Sequence, residues 1–165
     1  MRSTTARAVL AAAMVAALLP GVAAADVSLG ANLGSARVNG GDFEGSDTGW
    51  KIHLGSSFME FIGGEIGYVN FGKLGGDGPK AYAWTPAVTV GVPLGLARVF
   101  AKGGVAFADV EGSSLREEYR NNDPFFGVGL RFGMSPGLGF RAEYERYTLD
   151  NDDIDMAQVG LELNF

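Results

Sequence analysis

Residues 138–147 read Leu-Gly-Phe-Arg-Ala-Glu-Tyr-Glu-Arg-Tyr, so apolar and charged side chains alternate along them. A period of two is typical of a β-strand, because successive side chains of a strand point to opposite faces. One face of this strand carries Arg141, Glu143 and Glu145, while the other face is apolar. The stretch therefore predicts a sheet with one apolar and one charged face.

Eight segments of the chain share this alternation. Their apolar positions are Val27, Leu29, Ala31 and Leu33; Trp50, Ile52, Leu54 and Phe58; Ile62, Ile66 and Tyr68; Tyr82, Trp84, Val88, Val90 and Val92; Val99, Ala101, Val105 and Phe107; Phe126, Val128, Leu130 and Phe132; Leu138, Phe140, Ala142 and Tyr144; and Ala157, Val159, Leu161, Leu163 and Phe165. Pro86 interrupts the fourth segment. Because proline cannot donate to a β-ladder, it predicts a bulge or a local break there.

The connections between these segments alternate in length. Short links lie near 57–61, 93–97 and 134–138, and longer polar links cover 38–48, 70–80, 108–124 and 148–154. Three short turns and four long loops are typical of an even-stranded up-and-down barrel in an outer membrane, with both termini on the periplasmic side. The long loops would then face outward from the cell.

The first 25 residues differ in composition from the rest of the chain. Arg2 and Arg7 precede an apolar run that ends at Leu19, and small residues follow it. A membrane-spanning helix needs about 20 apolar residues, and this run is shorter. We therefore predict a cleavable signal peptide over residues 1–25 and a single barrel domain over residues 26–165.

Composition limits the partners of the exported chain. The signal segment contains two basic residues and no acidic residue, so its removal leaves 11 basic against 19 acidic residues, a formal charge of −8. A nucleic-acid partner is therefore not expected. The chain has no cysteine, so hydrogen bonds and packing rather than disulfides must stabilise it.

The positions between the apolar residues distinguish a membrane barrel from a soluble one. They place eight charges on the opposite face: Lys51, Glu65, Lys102, Arg131, Arg141, Glu143, Glu145 and Glu162. A soluble eight-stranded carrier has the reverse polarity, and a two-sheet sandwich, the other structural alternative, would bury its apolar face. We therefore predict an all-β protein, an eight-stranded antiparallel up-and-down transmembrane β-barrel in the cell outer membrane, with these charges in its lumen.

The eight lumen charges are four acids and four bases, so they sum to zero. We expect them to pair across strands, because an unpaired buried charge costs several kcal/mol. Glycines on the same face leave room for long side chains, and an eight-stranded barrel has an interior just wide enough to be filled. A salt-bridged core is the favoured interpretation, and a gated proton or ion path is the alternative.

Aromatic residues near the strand ends are expected to face lipid. They are Trp50, Tyr68, Trp84, Phe107, Phe126 and Tyr144. Aromatic girdles at the two membrane interfaces are a feature of outer-membrane barrels.

Residues 64–72 and 140–147 resemble the third and seventh strands of the small outer-membrane β-barrel family that includes the transmembrane domain of OmpA and the opacity-type proteins. The resemblance covers essentially all of residues 26–165. It implies that charged lumen residues form ion pairs that plug the barrel, with Glu65, Lys102 and Glu143 at matching positions. Larger members add a periplasmic peptidoglycan-binding domain, an activity that we do not expect here.

The last strand is similar to the C-terminal signal that the outer-membrane assembly machinery reads in this family. Its residues are Val159, Leu161, Leu163 and the terminal aromatic Phe165. The resemblance therefore implies that the assembly machinery is a partner of the chain.

No catalytic, metal or cofactor site is expected. His53 is the single histidine, and on a strand it points to the face opposite to Ser56, so the two cannot act as base and nucleophile. The acidic run 150–155 lacks the turn glycine of a calcium-binding loop and is interpreted as a solvated hairpin loop.

These observations favour a structural or surface-interaction protein whose barrel anchors four outer loops. The expected partners are outer-membrane lipids and lipopolysaccharide, the assembly machinery, and a host or cell-surface ligand that binds the loops. A narrow porin-like channel is the first alternative. A lipid-modifying barrel enzyme and a soluble carrier are the others.

Overall fold

The computed structural model describes residues 26–39, 45–73, 80–110, 122–133, 137–148 and 153–165. They form eight strands: β1 (Asp26–Asn39), β2 (Gly45–Ser57), β3 (Ile62–Lys73), β4 (Lys80–Leu94), β5 (Ala97–Val110), β6 (Asn122–Phe132), β7 (Gly137–Thr148) and β8 (Asp153–Asn164). Each strand pairs antiparallel with its neighbour in the chain, and β8 pairs with β1 to close the barrel. The predicted all-β, eight-stranded up-and-down barrel is confirmed. The predicted signal peptide over residues 1–25 lies outside the described residues and stays a prediction.

Within the described ranges, no helix is long and apolar enough to cross a membrane.

The strands extend further than their apolar alternation indicated. β1 continues to Asn39 and β2 begins at Gly45, although the link between them was predicted over 38–48. Conversely, Phe58 was predicted in the second strand, but it lies after the end of β2, in the turn. The predicted bounds were wrong because backbone pairing continues past the last residues with an apolar outer face, where polar side chains can point outward into water.

One of the two outcomes expected at Pro86 is observed. The pairing of β4 with β5 skips Thr85 and Pro86 and resumes in the same register, so the ladder has a local break without an inserted residue. A bulge lies instead in β3, where the register with β4 shifts between Asn70 and Gly72. Gly72 adopts a φ of 76°, a left-handed conformation that favours glycine.

The apolar face of the sheet points outward and the charged face points inward. Leu33 and Val159 on the outer wall are 65% and 66% exposed, whereas Lys51 and Glu145 inside are fully buried. An outer wall of this kind is unfavourable in water and favourable in lipid, as in outer-membrane barrels.

The two ends of the barrel differ in their connections. The loop end carries the connections 40–44, 74–79, 111–121 and 149–152, and the turn end carries the connections 58–61, 95–96 and 133–136 together with Asp26 and Phe165. Between these ends the interior has two layers. An apolar layer lies towards the loop end, and a charged layer lies below it, towards the turn end.

A charged network and an apolar plug inside the barrel

The apolar layer, here called the apolar plug, closes the interior near the loop end. Its buried residues are Ala36, Val38, Val69, Phe71, Ala81, Ala83, Ala106, Phe125, Tyr147, Ile154 and Met156. The Tyr147 ring is its centre: it stacks on Phe125 at 5.1 Å between ring centroids and meets Phe71 edge-on at 4.8 Å. These contacts join β3, β6 and β7 across the barrel. The alternation pattern did not predict the plug, although Phe71 and Tyr147 share the inward parity of the predicted lumen charges.

Two lysines and three glutamates form the centre of the charged layer. The Nζ atom of Lys51 lies 2.6 Å from Oε1 of Glu145, 2.9 Å from Oε1 of Glu65 and 3.5 Å from Oε1 of Glu143. The Nζ atom of Lys102 lies 3.0 Å from Glu65 and 2.7 Å from Glu143, and it also pairs with Glu145. Each ammonium group therefore contacts all three carboxylates.

Arg141 joins this centre to the turn-end part of the lumen. Its Nη2 atom donates to Glu65 at 2.5 Å and to Glu143 at 2.7 Å, and its Nη1 atom donates to Glu162 at 3.0 Å. The guanidinium carbon lies 4.6 Å from the centroid of the Phe100 ring, a cation–π contact in a buried setting. The single Arg141 side chain thus bridges three acids.

His53, Glu162 and Arg131 form the turn-end edge of the network. The Nε2 atom of His53 lies 3.0 Å from Oε2 of Glu162. Arg131 is held more loosely, because its closest carboxylate oxygens, on Glu162 and Glu65, lie 3.5 Å and 3.7 Å away and its side chain is 17% exposed. All eight predicted lumen charges therefore point inward, and Arg131 has the weakest contacts among them.

Neutral polar side chains complete the network. Gln158 was expected on the inward face, whereas the contacts of Asn32 and of the Tyr147 hydroxyl were not predicted. Asn32 donates to Glu143 at 2.8 Å, while Gln158 and the Tyr147 hydroxyl donate to the same oxygen of Glu145, at 2.6 Å and 2.7 Å. The signal was present in the sequence, because all three residues share the inward parity of their strands. Tyr147 also packs in the apolar plug, so it links the two layers.

Glycines make room for these long side chains, as the sequence predicted. A Cβ atom on Gly67 would lie 2.6 Å from Cε of Lys51. A Cβ atom on Gly129 would lie 2.5 Å from the Phe100 ring and 2.8 Å from the backbone oxygen of Ala142. Real Cβ contacts are not this short, so a side chain at Gly67 would force Lys51 to shift, and a side chain at Gly129 would collide with the backbone.

The arrangement is suited to stability rather than to ligand chemistry. Oxygens of Glu65, Glu143 and Glu145 lie within 4.8 Å of one another, a spacing that would suit a metal ion. Lys51 and Lys102 already occupy the space between these oxygens and neutralise them. Buried charges are tolerated when partners and hydrogen bonds compensate for their lost hydration, and that condition is met here.

The six aromatic residues predicted as a girdle lie on the outer wall, towards the loop end. Tyr68 contacts two of them, with ring centroids 5.8 Å from Trp50 and 5.0 Å from Trp84. Phe107, Phe126 and Tyr144 occupy strands β5, β6 and β7 and are exposed. At the turn end lies a second set of exposed rings that was not part of the predicted girdle: Phe58, Phe61, Phe132, Phe140 and Phe165.

The residues of the predicted assembly signal form the outer face of β8. Val159, Leu161, Leu163 and Phe165 are all exposed, between 45% and 69%. The backbone N–H of Phe165 donates to the oxygen of Val27 at 2.9 Å, so the last residue still pairs with β1.

A closed eight-stranded barrel with an apolar outer wall and a filled, charged interior defines a small outer-membrane β-barrel. The chain belongs to the outer membrane protein beta-barrel domain family, whose model matches residues 5–165. The predicted family and the predicted location in the outer membrane are thereby confirmed. No curated protein sequence matches the chain significantly.

Solved structures with the same fold come from several bacteria. Neisserial surface protein A is 13% identical with a TM-score of 0.65, and the match covers 84% of this chain and 97% of that one. The attachment invasion locus protein Ail of Yersinia pestis, in complex with the heparin analogue sucrose octasulfate, is 16% identical with a TM-score of 0.58, covering 86% and 99%. The N-terminal barrel of OprF from Pseudomonas aeruginosa is 14% identical with a TM-score of 0.60, covering 85% and 97%. At these identities the similarity shows the fold alone.

Proposed function

We propose that this outer-membrane barrel is a structural scaffold that presents its loop end to the cell exterior for surface interaction, in adhesion or envelope integrity. The observation that carries this proposal is the filled interior. Lys51 and Glu145 are fully buried, and Arg141 is 1% exposed. A continuous water path through the charged layer would leave such side chains accessible to solvent.

The apolar plug is a second observation that supports a closed scaffold rather than a channel. A conducting path would have to pass the stacked rings of Phe125 and Tyr147 as well as the charge network. Dry, apolar constrictions oppose ion passage. A narrow channel therefore remains the second candidate and would require both layers to move.

An enzymatic role has less support. His53 Nε2 is engaged with Glu162 inside the lumen, and Ser56 lies on the opposite parity of the same strand. A nucleophile needs its base within hydrogen-bond reach, and this pair does not meet that condition.

A scaffold of this kind can contact partners through three surfaces: its outer wall, the exposed face of β8 and its loops. The outer wall would contact outer-membrane lipids and lipopolysaccharide, the exposed face of β8 would be read by the assembly machinery, and the loops would bind a host or cell-surface ligand. Two relatives are described as a surface protein and as an attachment invasion locus protein, which is consistent with a role at the cell surface.

The loop role is tested with cells that produce the wild-type chain and a variant in which residues 111–121 are replaced by a short Gly-Ser turn. The matched control carries a short tag inserted at 95–96, at the turn end. Attachment to cultured epithelial cells and to heparin-coated plates is measured at equal amounts of barrel in the outer membrane. We expect the loop variant alone to lose attachment. Equal attachment by all three strains, or by a strain without the protein, would contradict the loop role.

A further inference from the structure

Arg98 is a lumen charge that was not among the eight predicted ones. It precedes the buried Phe100 by two residues on β5, so both share the inward parity, and it is half-buried. Its cross-strand partner on β6 is Arg131, whose own partner on β7 is Arg141. Three arginines therefore stand side by side on neighbouring strands. Like charges directly opposite each other, with Cβ atoms about 4.5–5.5 Å apart, are destabilising unless other groups neutralise them.

Only Arg141 is neutralised fully, by the three acids described above. Arg131 donates no hydrogen bond within the described part of the chain. Its nearest carboxylate oxygens lie 3.5 Å and 3.7 Å away, and its buried Nε atom has no acceptor. Arg98 forms no ion pair with a described carboxylate, and its guanidinium donates only to the backbone oxygen of Glu60, at 2.9 Å. We call Arg98 and Arg131 the arginine pair.

The glutamates of the charged layer do not balance the arginine pair. Oε2 of Glu162 is shared among His53, Arg131 and Arg141. His53 aside, Arg98 joins the four predicted bases of this layer, which makes five bases against four glutamates, an excess of one positive charge.

Three further acids lie at the turn end, and none of them pairs with the arginines. The side chains of Glu60 and Asp26 are exposed and form no ion pair with a described residue. Asp26 belongs to β1, which lies four strands away from β5 around the barrel. The carboxylate of Phe165 follows an outward position of β8 and likewise pairs with no described base. The excess positive charge therefore remains at the arginine pair.

Both guanidiniums of the arginine pair lean towards the end of β2. Arg98 crosses Gly91, where an added Cβ atom would lie 2.6 Å from its Nε atom, and it reaches Glu60 in the turn that follows β2. Nη2 of Arg131 lies 3.8 Å from the position of a Cβ atom on Gly55, near the end of β2. The two cations thus approach the same side of the turn-end opening.

The arginine pair is accessible from the turn end. The described inward positions nearer to that end carry small side chains, which are Ser57, Gly63, Pro93, Gly133, Gly139 and Asn164, besides Asp26. Among the described residues, no bulky inward side chain therefore separates the arginine pair from the opening. Accordingly, the side chain of Arg131 is 17% exposed, whereas that of Arg141 is fully buried.

We propose that the arginine pair is a binding site for a free phosphate-type oxyanion at the turn end of the lumen. Guanidinium groups bind phosphate through paired, charge-assisted hydrogen bonds. The tetrahedral oxygens of phosphate point in several directions and can accept from both arginines, whereas the coplanar oxygens of a carboxylate match a single guanidinium. This site goes beyond the proposed scaffold role and does not involve the loops, so the attachment assay and anion binding can fail independently.

Binding is measured by isothermal titration calorimetry of the folded barrel in an uncharged detergent, with inorganic phosphate as the probe and chloride used to hold the ionic strength constant. We expect saturable binding of phosphate. Acetate, the carboxylate probe, should bind at least about tenfold more weakly, because it loses a charge-assisted hydrogen bond. Equal binding of acetate, or no heat from phosphate beyond that from added chloride, would overturn the proposal.

Arg98→Gln is the decisive variant, because it removes a charge that has no acidic partner and keeps an amide that can donate to Glu60. It should weaken phosphate binding at least about tenfold, and Arg131→Gln should do the same. Arg37→Gln, the matched control, removes an exposed arginine from β1 at the loop end and should leave the affinity unchanged. Heat-modifiable electrophoretic mobility confirms that each variant is folded. If Arg131→Gln does not fold, Arg98→Gln alone decides.

The proposal is overturned if Arg98→Gln binds phosphate as the wild type does, or if Arg37→Gln causes an equal loss, since the attraction would then be a general effect of charge.

A phospholipid headgroup is the other source of the same chemistry, and vesicles distinguish the two. A ligand that binds only the folded barrel raises the urea midpoint for unfolding. In phosphatidylcholine vesicles, inorganic phosphate should raise the midpoint of the wild type but not that of Arg98→Gln. A rise that depends on Arg98 and on added phosphatidylglycerol, without any effect of inorganic phosphate, would assign the arginine pair to a lipid headgroup and overturn the proposal.

Discussion

The Nζ atom of Lys51 on β2 lies 2.6 Å from Oε1 of Glu145 on β7, although the residues are 94 positions apart and their strands are not neighbours in the sheet. The ion pair therefore crosses the lumen instead of running along the wall. Because Lys102 on β5 reaches the same oxygen, three strands are tied together at one point. Cross-lumen contacts of this kind fill the barrel with polar groups where a soluble protein would have an apolar core.

Neutralisation of Glu143 should strongly destabilise the barrel. Glu143 Oε2 lies 2.7 Å from both Lys102 and Arg141, so Glu143→Gln leaves a net positive charge in an enclosed interior. Loss of one partner from a buried pair costs about 3–5 kcal/mol. The urea midpoint for unfolding from lipid vesicles should fall accordingly.

Glu60→Gln is the matched control, because Glu60 is an exposed residue of a turn at the turn end. The same chemical change there should leave the urea midpoint nearly unchanged, since exposed charges are solvated and screened. Similar, small shifts in both variants would show that water screens the lumen and that the network is not a dry core.

The Lys51–Glu145 pair should show strong coupling. Lys51→Met and Glu145→Gln should each destabilise the barrel, whereas the double variant should lose less than the two losses added together. The reason is that the second substitution removes the charge that the first one left unpaired. Additive losses in the free energy of unfolding would mean that the two groups do not interact in the folded barrel.

Gly129 should not tolerate a side chain. Gly129→Ala would place its Cβ against the Phe100 ring and the backbone oxygen of Ala142, and overpacking of this kind costs about 1–3 kcal/mol. Gly103 is the control, because a Cβ there would meet its nearest atom at 4.0 Å and would point outward. A loss of stability in Gly103→Ala equal to that in Gly129→Ala would refute the close-packing explanation.

The terminal aromatic residue should matter for assembly more than for stability. Phe165→Ala keeps the backbone hydrogen bond to Val27 and removes only the ring, so the purified variant should refold in detergent as well as the wild type. In cells, the amount of heat-modifiable barrel in the outer-membrane fraction should fall, and Phe165→Tyr should restore it. Normal insertion of Phe165→Ala would refute the assembly-signal interpretation.

The sequence predicted the barrel because lipid requires every strand to place apolar side chains on its outward face, and polar side chains can then only lie on the inward face. The alternation in residues 138–147 specifies the outward and inward faces without any knowledge of other strands. The apolar plug was not predicted, because Phe71, Tyr147 and Met156 obey the same period and only their chemistry differs from that of the lumen charges. An apolar residue at an inward position departs from the expected polar chemistry of that face. Its contacts lie on distant strands, so the local sequence does not show that such residues pack together.

The individual ion pairs could also be predicted only in part from the sequence. Cross-strand pairing of the lumen charges was predicted in general, and the family resemblance implied ion pairs that involve Glu65, Lys102 and Glu143. These three side chains lie together with Arg141. The contact of Lys51 with Glu145 depends on barrel diameter and strand stagger, which no local pattern encodes. The parity of β2 places His53 on the inward face, but its position beside Glu162 depends on the same geometry.

Ion current through the wild-type barrel tests the central claim most directly. The purified protein is inserted into planar lipid bilayers, and single-channel current is recorded in symmetric potassium chloride at several voltages and salt concentrations. Because the charge network and the apolar plug fill the interior, we predict insertion without resolved steps of current above the bare bilayer. Uniform steps whose size rises with salt concentration would contradict the filled-barrel account and establish the protein as a channel.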